Sequence, residues 1–165
     1  MLKNMAIGID DFAKLREENY SYIDKSMLIE ELLKDKYEAT LIARPRRFGK
    51  SLNMSMLRYF FDIREKDRSH KLFEGLAIQK SPYYEKRGEY PVIFLSLKGI
   101  EAPSWEGMLN RLAGTISKLY TSFYNDLAVL FEHEIDTFNK TIKEELEPEK
   151  LASSLLFLTN FLNRH

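Results

Sequence analysis

An apolar run, Ala39-Thr40-Leu41-Ile42-Ala43, passes through Arg44-Pro45-Arg46-Arg47-Phe48-Gly49-Lys50-Ser51 into a stretch whose apolar members, Leu52, Met56, Leu57, Phe60 and Phe61, recur at helical spacing. Strand, basic loop, amphipathic helix is the reading this order imposes, with the strand over 38–43 and the helix opening at Lys50 and ending near Asp62. Pro45 fixes one backbone angle, and Gly49 can take the positive φ that bulkier residues avoid. The first amides of a helix have no intrahelical partner and carry the positive end of the helix dipole, so they suit phosphate oxygens. Gly49-Lys50-Ser51 between strand and helix is the end of a phosphate-binding loop, in which Lys50 reaches the β- and γ-phosphates and the Ser51 hydroxyl ligates Mg²⁺. The full motif asks for Gly where this chain has Arg44. A basic turn that only joins a core strand to a core helix is the alternative reading.

Five further stretches and one residue accompany this loop: Ile7-Gly8-Ile9-Asp10-Asp11-Phe12, Tyr22-Ile23-Asp24-Lys25-Ser26, Leu57-Arg58-Tyr59-Phe60-Phe61-Asp62, Leu72-Phe73-Glu74-Gly75-Leu76, the run from Tyr90 to Lys98, and Trp105. Together with Arg44-Pro45-Arg46-Arg47-Phe48-Gly49-Lys50-Ser51-Leu52 they resemble the predicted AAA-ATPase-like family of bacterial proteins, whose members tend to carry Arg in place of the first Gly. The resemblance implies a P-loop NTPase, a three-layer α/β/α fold whose parallel sheet this chain supplies only in part. It implies ATP and Mg²⁺ as cofactors, with Arg46, Arg47, Phe48, Gly49, Lys50, Ser51, Leu52 and Tyr22 around the nucleotide and Ser51 on the metal. In that family the ATPase part is commonly followed by a nuclease-like domain of the restriction-endonuclease-like superfamily.

A P-loop ATPase also needs an apolar strand closing in an acid that holds Mg²⁺, with a neighbouring acid to activate water. Val92-Ile93-Phe94-Leu95-Ser96-Leu97 is a good strand but ends at Lys98. Leu127-Ala128-Val129-Leu130-Phe131-Glu132 has suitable letters, yet Leu127, Leu130, Phe131 and Glu134 also fit a helix continuing from Tyr120, and helical packing is the reading adopted. In the resembled family the acidic strand follows a helix like that from Leu151 to Leu162. The chain is therefore expected to be the first part of an ATPase domain, to bind nucleotide weakly and to be inactive in hydrolysis alone. An incomplete sheet would leave an apolar edge that favours self-association.

With 165 residues, 44% of them hydrophobic, the chain is long enough for one core and short for two domains. Lys and Arg balance Asp and Glu at 25 each, so no global charge draws the chain to nucleic acid or an anionic membrane. The absence of cysteine excludes thiolate metal sites, disulfides and thiol catalysis. No apolar run reaches bilayer length and Met1-Leu2-Lys3-Asn4-Met5 carries no secretory core, which makes the cytoplasm the expected compartment.

Along the chain the expected organisation is a helical lead-in (1–37), the strand, phosphate loop and helix (38–62), a connection with a second strand at 91–97 (63–103), and a helical segment (104–165). Asp10 or Asp11 caps a short helix through Glu17, and Asp24 caps one from Lys25 to about Lys34 that turns Met27, Leu28, Leu32 and Leu33 inward. The charged run Arg64 to Arg68 reads as a solvated loop before a helical turn around Leu72 to Leu76. Three helical stretches close the chain, over 104–124, 125–146 and 148–163, with Pro148 suited to a first turn. Strands alternating with helices argue α/β.

Tyr22 and Ile23 either pack a nucleotide base or belong to the core, and both readings stand. Arg44, Arg46, Arg47, Lys50 and Arg58 form a basic cluster that phosphate explains economically. His70, His133 and His165 lack ligand spacing. Trp105, Phe94, Tyr120, Phe123 and Tyr124 read as core or sheet-covering aromatics. The function expected is ATP binding through a degenerate phosphate loop, within a larger ATPase. The alternative is a non-catalytic regulatory or nucleic-acid-associated module with a vestigial loop. The partners expected are nucleotide, the downstream remainder of the domain, a nuclease-like domain, nucleic acid, and a second copy of the chain.

Overall fold

The computed structural model describes residues 8–43, 45, 48–124 and 132–164. Arg44, Arg46, Arg47, the run 127–131 and His165, for which the sequence raised expectations, lie outside the described residues, as do the side chains of Glu132 and His133. The chain divides into two compact units, Met1–Val92 and Ile93–His165.

The first unit is built on α1 (Phe12–Glu17), α2 (Met27–Asp35), α3 (Lys50–Phe61) and α4 (Lys66–Leu72), with 3-10 turns at Ile63–Glu65, Ala77–Lys80 and Pro82–Lys86. The Asp11 side chain caps α1 by accepting from the Lys14 amide at 2.8 Å. The same carboxylate accepts from the Tyr59 hydroxyl at 3.2 Å, and Ser55 Oγ accepts from the Phe12 amide at 2.9 Å, so α3 satisfies the start of α1. Phe12, Ile29, Met56, Phe60, Leu72, Phe73 and Ile78 form the core between these helices. Phe73 links two of its rings, with centroids 5.0 Å from Phe12 and 5.3 Å from Phe60.

The second unit has α5 (Trp105–Thr121), α6 (Glu132–Ile142) and α7 (Pro148–Leu162) around Ile116, Leu119, Tyr120, Phe123, Phe138, Leu151, Leu158 and Phe161. Ser104 caps α5 through the Gly107 amide, and Pro148 occupies the first turn of α7. The buried Tyr120 hydroxyl donates to the Ser154 carbonyl at 2.6 Å, and Ser117 Oγ donates to the Ile142 carbonyl at 2.5 Å.

The expected three-layer α/β/α fold with a parallel sheet is corrected: the described residues contain no sheet, and Asp62 and Tyr90 meet in an isolated parallel bridge. The two β-type runs show why. β composition records a fit to a half-buried pleated surface, whereas a strand exists only when a neighbour completes its ladder of backbone hydrogen bonds. Residues 39–43 are irregular, and Leu41 is 91% exposed. The approach to the second run is held by the end of α3 instead: the Gly88 amide donates to Phe60 O at 2.8 Å, Tyr90 N to Phe61 O at 3.0 Å, and Ile63 N to Tyr90 O at 2.8 Å. Ile93 and Leu95 then pack on the helices of the second unit.

Smaller corrections follow from tertiary contacts. The charged run 64–68 is a 3-10 turn leading into α4, because Asp62 is fully buried with Arg64 clamped on both its oxygens and Arg68 reaches Glu17 at 2.7 Å. In α2 Leu28 and Leu33 pack against the core as expected, but the fully buried residue is Ile29, and Met27 is exposed. Of the aromatics read as core or sheet-covering, Tyr120 and Phe123 are buried, whereas Trp105 and Tyr124 lie on the surface.

Candidate functional site

The start of α3 opens on a cleft of about 1050 Å³. One wall is Phe48, Gly49, Lys50, Ser51, Leu52 and Asn53; the other is Gly8, Ile9, Asp10, Leu15, Ser21, Tyr22, Ile23 and Lys25. All six described members of the expected set, Tyr22, Phe48, Gly49, Lys50, Ser51 and Leu52, thus line one cavity, whereas Arg46 and Arg47 lie outside the described residues.

Gly49 is left-handed, at φ 73° and ψ 22°, and accepts from the Asn53 amide at 2.9 Å as the first turn of α3 closes. No heavy atom lies within 4 Å of where its Cβ would stand, so the demand for glycine here comes from backbone angle, not from space. As a glycine, this N-cap residue brings no side-chain cap of its own. Lys50 and Ser51 are exposed on the cleft, Leu52 is partly buried against the core, and Phe48 is 59% exposed at the rim.

The opposite wall is positioned by Tyr22-Ile23-Asp24-Lys25-Ser26. The Asp24 carboxylate accepts from the Ser26 amide at 2.8 Å and the Ala77 amide at 2.7 Å, and Ser26 Oγ accepts from Ile78 N at 3.1 Å. Asp24 therefore ties the start of α2 to the 3-10 turn at Ala77 rather than capping a helix from Lys25, and α2 begins at Met27. Burial opposes ionisation of Asp24, but the hydrogen bonds from Ala77 and Ser26 outweigh it and hold its pKa below the ordinary 3.8. Tyr22 serves both readings at once. Its ring packs edge-on against Phe12 at 5.6 Å and its hydroxyl lies 3.3 Å from Met56 Sδ, while the residue also lines the cleft. Burial raises its pKa. Ile23 is 82% exposed beside it.

Arg58, grouped by sequence with the loop cations, is not in the cleft wall. Its guanidinium stacks over Tyr59 at 5.2 Å and pairs with Glu65 at 3.3 Å. The sequence reading missed Asn53. A polar residue within an amphipathic pattern reads as solvent-facing, yet Asn53 is 2% exposed and sits in the cleft wall.

Residues 6–158 match the protein family described as Predicted AAA-ATPase. The chain belongs to that family. A relative of this chain, the uncharacterized protein in the vnfD 5′ region of Azotobacter chroococcum mcd 1, is 37% identical over 114 residues, 67% of this chain and 20% of the relative. The chain thus spans about a fifth of the length of that relative. No solved structure matches. No helix among the described residues is long and apolar enough to cross a membrane.

Proposed function

We propose that the cleft of this predicted AAA-ATPase binds ATP with Mg²⁺, its phosphates lying at the start of α3. The observation that carries the reading is the α3 N-terminus itself: left-handed Gly49, which brings no side-chain cap of its own, and Lys50 and Ser51 turned into a cavity of about 1050 Å³. Amides at such a terminus offer donors and a partial positive charge to phosphate, and Lys50 adds a full charge. That volume is of the order taken by small-molecule sites, roughly 300–1,000 Å³.

The donors present fit a shared metal. Among the described residues no three His, Cys, Asp or Glu side chains gather as a metal set. The oxygen donors at the cleft include the Ser51 hydroxyl, at the start of α3, and the Asp10 carboxylate. Mg²⁺ is characteristically held by one or two protein oxygens together with substrate phosphates, so Ser51 is the ligand this chain would contribute. When bound, the metal supplies charge neutralisation at the β- and γ-phosphates. Tyr22, Ile23 and Phe48 offer apolar surface to the base, and Arg46 and Arg47 are proposed to add charge to the phosphate side.

Titration calorimetry with ATP and Mg²⁺ on the chain and on Lys50→Ala tests the reading. A hydrogen bond to a charged group contributes about 1.5–3 kcal/mol, so the variant should bind about ten- to a hundredfold more weakly. Because Lys50 is exposed, its ligand-free melting temperature should stay within a degree or two of the parent, on the scale of about ±0.5 kcal/mol for surface changes. Equal affinity of both forms would remove Lys50 from the site, and binding by neither would overturn the nucleotide reading.

A further inference from the structure

Asn53 lies in the cleft wall, is 2% exposed, and its Nδ2 has no hydrogen-bond partner among the described residues. Buried amide donors are nearly always paired, and an orphan is destabilising enough that it needs a reason. Other polar side chains buried nearby do have partners. Ser55, on the next stretch of the same helix, takes the Phe12 amide, and Ser26 takes the Ile78 amide. Ser69 Oγ, Tyr84 OH and Arg87 Nε are also buried without a partner among the described residues, but none of them lines the cleft; Asn53 combines an unpaired buried donor with a place in the cleft wall.

The geometry of a helix says where that partner would come from. Asn53 sits one turn after Gly49, whose carbonyl its backbone amide holds at 2.9 Å. Cα–Cβ bonds in a helix tilt toward the N-terminus, so side chains cover the turn that precedes them. The Asn53 side chain is therefore directed back over the turn at Gly49 and Lys50, where α3 begins.

We propose that Asn53 is a ligand-binding residue of the cleft, whose side-chain amide donates to a phosphate oxygen of the bound nucleotide. The inference rests on the nucleotide reading above and adds to it a donor outside the phosphate-loop motif. An acceptor on the base is the other source of the same hydrogen bond. Inorganic pyrophosphate, which has phosphate oxygens and no base, separates the two.

The test uses the 165-residue chain with Asn53→Leu, Asn53→Ala and, as reference, Lys50→Ala. Affinities for Mg²⁺ with ATP, and for pyrophosphate, are measured by calorimetry, and ligand-free melting by circular dichroism. Loss of a donor to a charged acceptor should weaken ATP and pyrophosphate alike by about ten- to a hundredfold in both Asn53 variants. Ligand-free Asn53→Leu should melt no lower than the parent, since the change removes a buried unpaired donor. If Asn53→Leu fails to fold, Asn53→Ala carries the same comparison. Undiminished ATP affinity in the folded Asn53 variants, alongside loss in Lys50→Ala, would overturn this inference and leave the nucleotide reading intact. Weakened ATP but unchanged pyrophosphate binding would overturn the phosphate assignment in favour of the base. No binding by the parent chain would overturn both.

Discussion

Two glycines separate a backbone demand from a steric one. Gly88 has φ +63°, and a Cβ there would stand 2.7 Å from Lys66 Cβ and 2.9 Å from Lys66 Cα, so α4 itself would have to move. Gly49 has φ +73° with open space around its missing Cβ. Gly88→Ala is expected to destabilise the first unit by about 3 kcal/mol or more, adding overpacking to left-handed strain, whereas Gly49→Ala should lose only about 1–2 kcal/mol from strain alone. Urea unfolding compares them, and equal losses would show that Lys66 yields. At this scale the sequence is readable where a residue's backbone chemistry decides, as at Gly49 and at Asp11, which caps α1. It is unreadable where the third dimension decides: nothing local distinguishes buried, unpartnered Asn53 from a surface asparagine, or exposed Trp105 from a core one.

Helices were legible because their signals are internal to the segment: apolar period, caps, and Pro148 at the start of α7 all lie within one stretch of chain. Strands were not, because a strand's hydrogen bonds lie on another segment, and neither 39–43 nor 91–97 forms a strand among the described residues. The candidate site depended on the legible kind of element. The side proposed for phosphate is the start of α3, and the far wall is set by the clamp of Asp24 and Ser26 on the turn at Ala77 and Ile78. Asp24→Ala should destabilise the first unit by about 1 kcal/mol, the lower part of the range for such bonds because the carboxylate is partly solvated. The pH dependence has a defined sign. The folded pKa of Asp24 lies below its ordinary 3.8, so its contribution is complete above that value and is lost as pH falls through the folded pKa. Acid unfolding of the parent below about pH 4 should therefore show a loss of stability that Asp24→Asn lacks, and superimposable acid limbs for the two proteins would contradict this.

The molecule carries two separate apolar cores, one per unit, where length and composition suggested one. Phe138 is fully buried in the second, with ring centroids 4.8 Å from Tyr120 and 6.3 Å from Phe161. Phe138→Ala should lower the protection of α5 and α7 amides in native-state hydrogen exchange by about 3–5 kcal/mol. Unchanged protection there would show that this cluster does not hold the helices together. The site, by contrast, draws all its lining residues from the first unit. Amide-resolved NMR during titration with Mg²⁺ and ATP examines that claim most directly. The largest shifts should fall on Gly49, Lys50 and Ser51, with accompanying shifts at Tyr22 and Ile23, and Lys50→Ala should require about ten- to a hundredfold more ATP to produce them. A spectrum unmoved by ATP, or one whose changes lie on α5 to α7 while Gly49 to Ser51 stay still, would contradict the account.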